Sequence, residues 1–190
     1  MSGLRNPVFV FRALRQAHCL PHLPDVQQAV PLLIAALEKR SVCVPEVVIG
    51  VLATAATECG FRCVGEEGEH SYFAKYDRGR LARELGNTVP GDGYKYRGRG
   101  YVQLTGRHNY QKYGHLIGID LVQHPDQALV STIAARIMVE YFVQVGVVAR
   151  CQAGQWVSAR RAVNGGENGL QVFLSCVAQL QHLYNSTVSL

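Results

Sequence analysis

Apolar positions recur at helical spacing along most of the chain, and no stretch sustains the every-second-residue alternation of a half-buried strand. The pattern predicts helices over residues 7–18 and over a segment carrying Gln27, Val30, Leu33, Ile34 and Leu37, with Asp25 as its N-cap. Pro45 sits where a first helical turn tolerates proline, so a third helix should run from there to about Cys59. Further helices are expected from Gly106 or Arg107 to Leu116, over 131–145 after a segment opened by Pro125, and over 154–163 and 167–184. An Asn164-Gly165-Gly166 break separates the last two. Between about Gly60 and Gly100 the periodicity fades and glycine, tyrosine and arginine take over, with a turn cluster at Val89-Pro90-Gly91-Asp92-Gly93. The reading is a mostly α, single compact domain over 1–190 with a long glycine-rich central loop region forming a substrate cleft. Loops of that length inside compact domains are usually functional.

Within the third helix, Val47, Val51, Ala55 and Glu58 fall on one stripe. Glu58 therefore ends an otherwise apolar face, beside the partial negative charge of a helix C-terminus, where the neutral acid is favoured. That is the property a general acid needs. Glu66, Glu67 and Glu69 follow closely, and Gly60 and Gly65 let the chain fold back. Two carboxylates about 6.5–9.5 Å apart across a cleft would suit an inverting glycosidase, with room for the attacking water. Seven of the nine tyrosines lie between Tyr72 and Tyr113. Their faces and hydroxyls suit sugar rings, and equally suit nucleic-acid bases.

At 190 residues, 48% hydrophobic and 17% charged, the chain can bury a core and is not a disordered segment. No apolar run is long enough to span a bilayer. Arg5, Arg12 and Arg15 interrupt the N-terminal apolar residues, so no signal peptide is read and synthesis in a cytoplasm is expected. The net charge of +5 favours a polyanionic partner, and nine of the nineteen basic residues fall between Lys75 and Lys112 against three acids. Six cysteines lack a metal-ligand spacing; Cys59, Cys63 and His70 have no second pair to complete a zinc site, and free thiols are expected. Phosphate-loop, dinucleotide-binding and serine-hydrolase motifs are absent.

The string YKYRGRGYVQLTGRHNYQKYG at 94–114, with ATECGF and LGNTVPGDG before it and ARRAVNGGENGL after it, resembles glycoside hydrolase family 19, in its phage endolysin and lysozyme-like branch. The likeness covers about 45–175, leaving 1–44 as N-terminal helices packed on that core. It implies Glu58 as general acid, Glu67 as general base with Glu66 one position away, and Thr105 as the hydroxyl holding the nucleophilic water. Gln103, Asn109, Asn164, Tyr96, Tyr101 and Arg99 are implied as substrate-binding residues. Thr57 stands where the family often has histidine. The implied activity is hydrolysis of β-1,4 bonds in peptidoglycan glycan strands by a monomer without metal or cofactor, acting on the wall after release or secretion by another system. Chitin is the close alternative substrate. A catalytically silent wall-binding module and a basic nucleic-acid-binding helical domain are the alternatives of another class; intact Glu58, Glu67 and Thr105 oppose the first, and the lack of any DNA-binding pattern opposes the second.

Overall fold

The computed structural model describes residues 1–188, so the last two residues of the expected 1–190 domain lie outside the described residues. The helices, in chain order, are α1 (Ser2–Arg5), α2 (Pro7–Gln16), α3 (Leu23–Lys39), α4 (Pro45–Cys59), α5 (His70–Phe73), α6 (Gly79–Leu85), α7 (Asp92–Lys95), α8 (Arg107–Ile117), α9 (Ser131–Gln144), α10 (Val147–Gln152), α11 (Trp156–Asn164) and α12 (Leu170–Val188). Two short 3-10 segments, Ala74–Asp77 and Pro125–Leu129, complete the list, and the described residues contain isolated β-bridges but no sheet. The mostly α class read from the sequence is the class observed.

The residues divide into two compact units. The first comprises residues 1–62 and 141–188, the second residues 63–140. The first unit is built on α4, whose Val47, Val51, Leu52 and Ala55 have no exposure at all. Helix α12 lies along α4 and α2, α3 packs on α2 and α4, and α10 and α11 meet α4. Helix α3 starts ahead of the expected cap: Pro24 fits its first turn because no amide donor is needed there, so Asp25 falls inside that turn rather than before it. No disulfide joins any of the six cysteines, and the buried thiols of Cys19 and Cys176 hydrogen-bond to each other. No described helix is long and apolar enough to cross a membrane.

The second unit holds the largest departure from expectation. The region read as loop contains α5, α6 and α7, each of four to seven residues, too short to display a helical period. One buried cation ties the end of α7 to the segments that follow it. Arg99 is 2% exposed and donates through Nε and Nη2 to Asp126 Oδ1 (3.0 and 2.8 Å), and through Nη1 to the carbonyls of Lys95 and Arg97 and to the Tyr110 hydroxyl. The Tyr110 hydroxyl in turn donates to the Arg97 carbonyl at 2.8 Å. Burial pushes the Tyr110 phenol up to about 12. Because that value lies above the usual tyrosine range near 10, the stability it carries is present below pH ~10 and is lost as pH rises towards 12. Tyr110→Phe is expected to cost about 1–2 kcal/mol at neutral pH through the lost hydrogen bonds, and to lessen that alkaline loss. Circular-dichroism melts at neutral and alkaline pH check both halves.

Candidate active site

In the first unit the candidate acid stands where the sequence placed it. Helix α4 ends at Cys59 because Gly60 (φ 58°) and then Phe61 (φ 65°) both take the left-handed conformation, which turns the chain off its axis just after Glu58. Phe61 is 2% exposed, and burial of its ring helps hold that unusual backbone. Glu58 does not, however, end in apolar surroundings. Its Oε1 accepts from Nη1 of Arg160 on α11, a side chain only 4% exposed against 29% for Glu58 itself. The second guanidinium nitrogen, Nη2, donates to the Asn168 carbonyl at 2.8 Å. Arg160 Nε is buried without an acceptor, so the pairing is held at a cost to the fold. Oε2 of Glu58 has no hydrogen-bond partner among the described residues. Tyr141 lies close enough that burial first, and the Glu58 charge second, push its phenol up.

Asn164 sits in the same unit, but both ends of its amide close its own loop: Nδ2 donates to the Asn168 carbonyl and Oδ1 accepts from Gly166 N. Its observed contacts shape the loop that also receives Arg160.

In the second unit the carboxylates divide sharply. Residues 64–66 run antiparallel to 98–100: Gly65 bridges Arg99, Glu66 N donates to Gly98 O at 2.7 Å, and Gly100 N donates to Val64 O at 2.9 Å. Side chains along extended backbone alternate, so Glu66 and Glu67 point opposite ways. Glu66 is half-buried; its Oε1 accepts from the Tyr76 hydroxyl at 3.0 Å and its Oε2 from Gly98 N at 3.2 Å. Glu67 is exposed. A Cβ added at Gly98 would lie 2.7 Å from Gln103 Oε1 and 3.3 Å from both Glu66 Oε2 and Thr105 Oγ1. Three side-chain oxygens thus converge on a position that only glycine leaves open. The nine-residue spacing pointed to Glu67, whereas the carboxylate found beside Thr105 is Glu66.

Gln103 reaches that point from a left-handed backbone (φ 50°), with its amide donating to the carbonyls of Val64 and Gly100. Thr105 Oγ1 donates to Gln103 O, and Asn109 Nδ2 donates to Thr105 O, so the three form a chain of contacts. Tyr96 (0% exposed), Tyr101 (1%) and Arg99 (2%) are another matter. Expected to touch sugar, they lie in the core: the Tyr96 hydroxyl donates to Val122 O, and Arg99 holds the unit together as described. They can support the site but cannot stack on a substrate. The basic cluster is also less free than its composition suggested, since Arg99 pairs with Asp126, Arg107 with Asp92 and Arg80 with Glu84. No three His, Cys, Asp or Glu side chains among the described residues gather as metal ligands.

The family profile described as chitinase class I matches residues 54–157, more than half of the chain, and takes in Glu58, Glu66, Gln103, Thr105 and Asn109 but not Arg160, Asn164 or the loop they contact. The chain belongs to glycoside hydrolase family 19. A family 19 domain-containing protein of Haemophilus influenzae is 35% identical over 91 residues, which is 47% of this chain and 44% of that relative. Chitinase 8 of Oryza sativa subsp. japonica is 60% identical over 37 residues, 20% of this chain and 13% of its own length. The matches thus span less than half the length of these curated relatives. Among solved structures, chitinase C from Streptomyces griseus superposes with a TM-score of 0.62 at 15% identity, covering 96% of this chain and 77% of that one. A bacterial family 19 chitinase superposes with a TM-score of 0.68 at 18% identity, covering 95% and 94%. At these identities the superpositions speak to the family 19 fold.

The site contains one residue that sequence reasoning missed. Arg160 lies 102 positions from Glu58 and beyond the matched region. Its only signal was the helical register of ARRAVN, which does not say which of two adjacent arginines turns inward.

Proposed function

We propose that this family 19 chain is an inverting glycosidase that hydrolyses β-1,4 bonds of peptidoglycan glycan strands. Glu58 Oε2 delivers a proton to the glycosidic oxygen as the bond from that oxygen to the anomeric carbon breaks. Water attacks the same carbon from the opposite face, and Glu66 takes the proton it releases. Thr105 Oγ1 and Gln103 Oε1 hold that water. The observation that carries this reading is the convergence of Glu66, Thr105 and Gln103 oxygens around Gly98. Arg160 fixes one oxygen of Glu58 and leaves the other for the substrate. No step calls for a metal or cofactor. The enzyme works as a monomer and acts on the bacterial wall.

The choice of peptidoglycan over chitin rests on charge. The chain carries +5, and Lys75, Arg78, Arg83 and Lys95 remain exposed after the internal pairs are taken out. Chitin is the second reading, favoured by the chitinases to which the chain is similar. Purified peptidoglycan and chitin oligosaccharides, digested side by side, separate the two. New reducing ends on muramic acid, identified by mass spectrometry, are expected; release of products from chitin alone would overturn the peptidoglycan reading. Activity on peptidoglycan should also fall as salt shortens the Debye length from about 10 Å at 0.1 M to 3 Å at 1 M, while any activity on neutral chitin oligomers stays level. An equal salt response on both would remove charge as the basis of preference.

A further inference from the structure

The segment from His70 to Asp77 carries a second arrangement that the hydrolytic steps do not use. Its anchor is Phe73, fully buried, with its ring edge-on to Tyr94 at 5.6 Å and tilted against Tyr76 at 6.2 Å. With Phe73 turned into the core, the neighbouring side chains face outward. Tyr72 is 49% exposed, and the ammonium of exposed Lys75 rests 3.4 Å from the centre of its ring. The same ammonium is 4.8 Å from the centre of the Tyr76 ring, and the Tyr76 hydroxyl donates to Glu66 Oε1. Lys75 makes no ion pair among the described residues, although Asp77 is two positions away; the Asp77 carboxylate is taken by the amides of Gly91 and Gly93.

A cation is thus held between two tyrosine rings, one ring away from the carboxylate proposed to activate water. We propose that Tyr72, Lys75 and Tyr76 form a subsite for a carboxylate-bearing sugar residue, so that Lys75 determines specificity for an acidic glycan over a neutral one. The inference rests on the glycosidase reading above and deepens it. The tyrosines alone would serve any sugar, since a ring face and a hydroxyl suit neutral pyranoses. The ammonium adds something that a neutral chitin strand cannot use: a compact positive charge with three donors and no acid of its own. Resting on aromatic faces also limits where that charge can go, so less freedom is lost when a carboxylate meets it. In peptidoglycan the carboxylate can come from the lactyl group of muramic acid or from the stem peptide attached to it.

The test uses Lys75→Met, which keeps an unbranched chain over the tyrosines and removes the charge, with Arg15→Gln, at an exposed position of α2, as a control of equal charge change. Steady-state kinetics are measured on intact peptidoglycan, on glycan strands stripped of stem peptide, on the same stripped strands with their carboxyls amidated, and on chitin hexaose. Lys75→Met is expected to raise KM about tenfold, with kcat held, on substrates that keep the relevant carboxylate, the size of one charge-assisted contact. It should change nothing on amidated strands or chitin. A loss on stripped strands assigns the lactyl carboxylate, and a loss confined to intact peptidoglycan assigns the stem peptide. Equal losses on all four substrates, a matching loss in Arg15→Gln, or no loss on any carboxylate-bearing strand would overturn the proposal. Binding of a muramic-acid disaccharide, followed by NMR shifts of the tyrosine rings, gives an independent readout. If the wild-type enzyme cleaves no peptidoglycan strand, the function reading falls, while the subsite still stands or falls on whether Lys75→Met weakens that binding.

Discussion

Glu58→Gln should lower turnover by about 10²–10⁴, the range typical of a positioned general acid, while leaving the fold in place. The substitution keeps an oxygen that can accept from Arg160 and removes only the capacity to release a proton. The contrast with Arg160 is instructive. Removing that buried cation would free Glu58 to move and would open α11 against α4, so lost activity there would mix position with stability. Glu58→Gln separates the two. Turnover on the preferred glycan, with circular-dichroism melts on the same samples, measures it. A well-folded variant that kept a tenth or more of wild-type activity would remove Glu58 from the acid role.

The second large effect concerns neighbours. Glu66→Gln is expected to lower turnover by a similar factor of about 10²–10⁴, and Glu67→Gln to stay within a fewfold of wild type. Only Glu66 shares its surroundings with Thr105 and Gln103; Glu67 points into solvent. The glutamine at 66 can still accept from Tyr76 and Gly98, so the local backbone should hold. The opposite ranking would restore the register that spacing suggested, and mild effects from both would place water activation elsewhere.

That one-residue difference shows where the sequence stopped being legible. Spacing from Glu58 counts residues, but facing is decided by the pairing of Gly65 with Arg99, which alternates side chains along 64–67. No local pattern announces a bridge between segments more than thirty residues apart. The tyrosines failed for a related reason. Composition cannot distinguish Tyr72, which is exposed, from Tyr96 and Tyr110, whose hydroxyls find carbonyl partners inside the second unit. Helix α4, by contrast, was readable to its last residue, because Pro45 and Gly60 act through their own backbone preferences and need no distant partner. Helix α9 was similarly plain from its long apolar period. The short helices α5 and α7 take their shape from anchors such as Phe73 and Asp92, the latter buried and accepting from the amides of Thr88 and Val89. Those anchors are tertiary facts.

The first unit is interrupted: its chain leaves after residue 62 and returns at 141. On a ribosome this imposes an order. Every residue of the second unit emerges before α12, the helix that covers α4, α2 and α1. Until then those helices hold apolar faces that nothing from their own unit can yet cover, a period in which a nascent chain is open to aggregation or to a chaperone. Damage late in the gene therefore reaches far back. A stop codon or protease cut ahead of Leu170 would leave every hydrolytic side chain encoded, yet strip the helix beneath which Glu58 acquires its place.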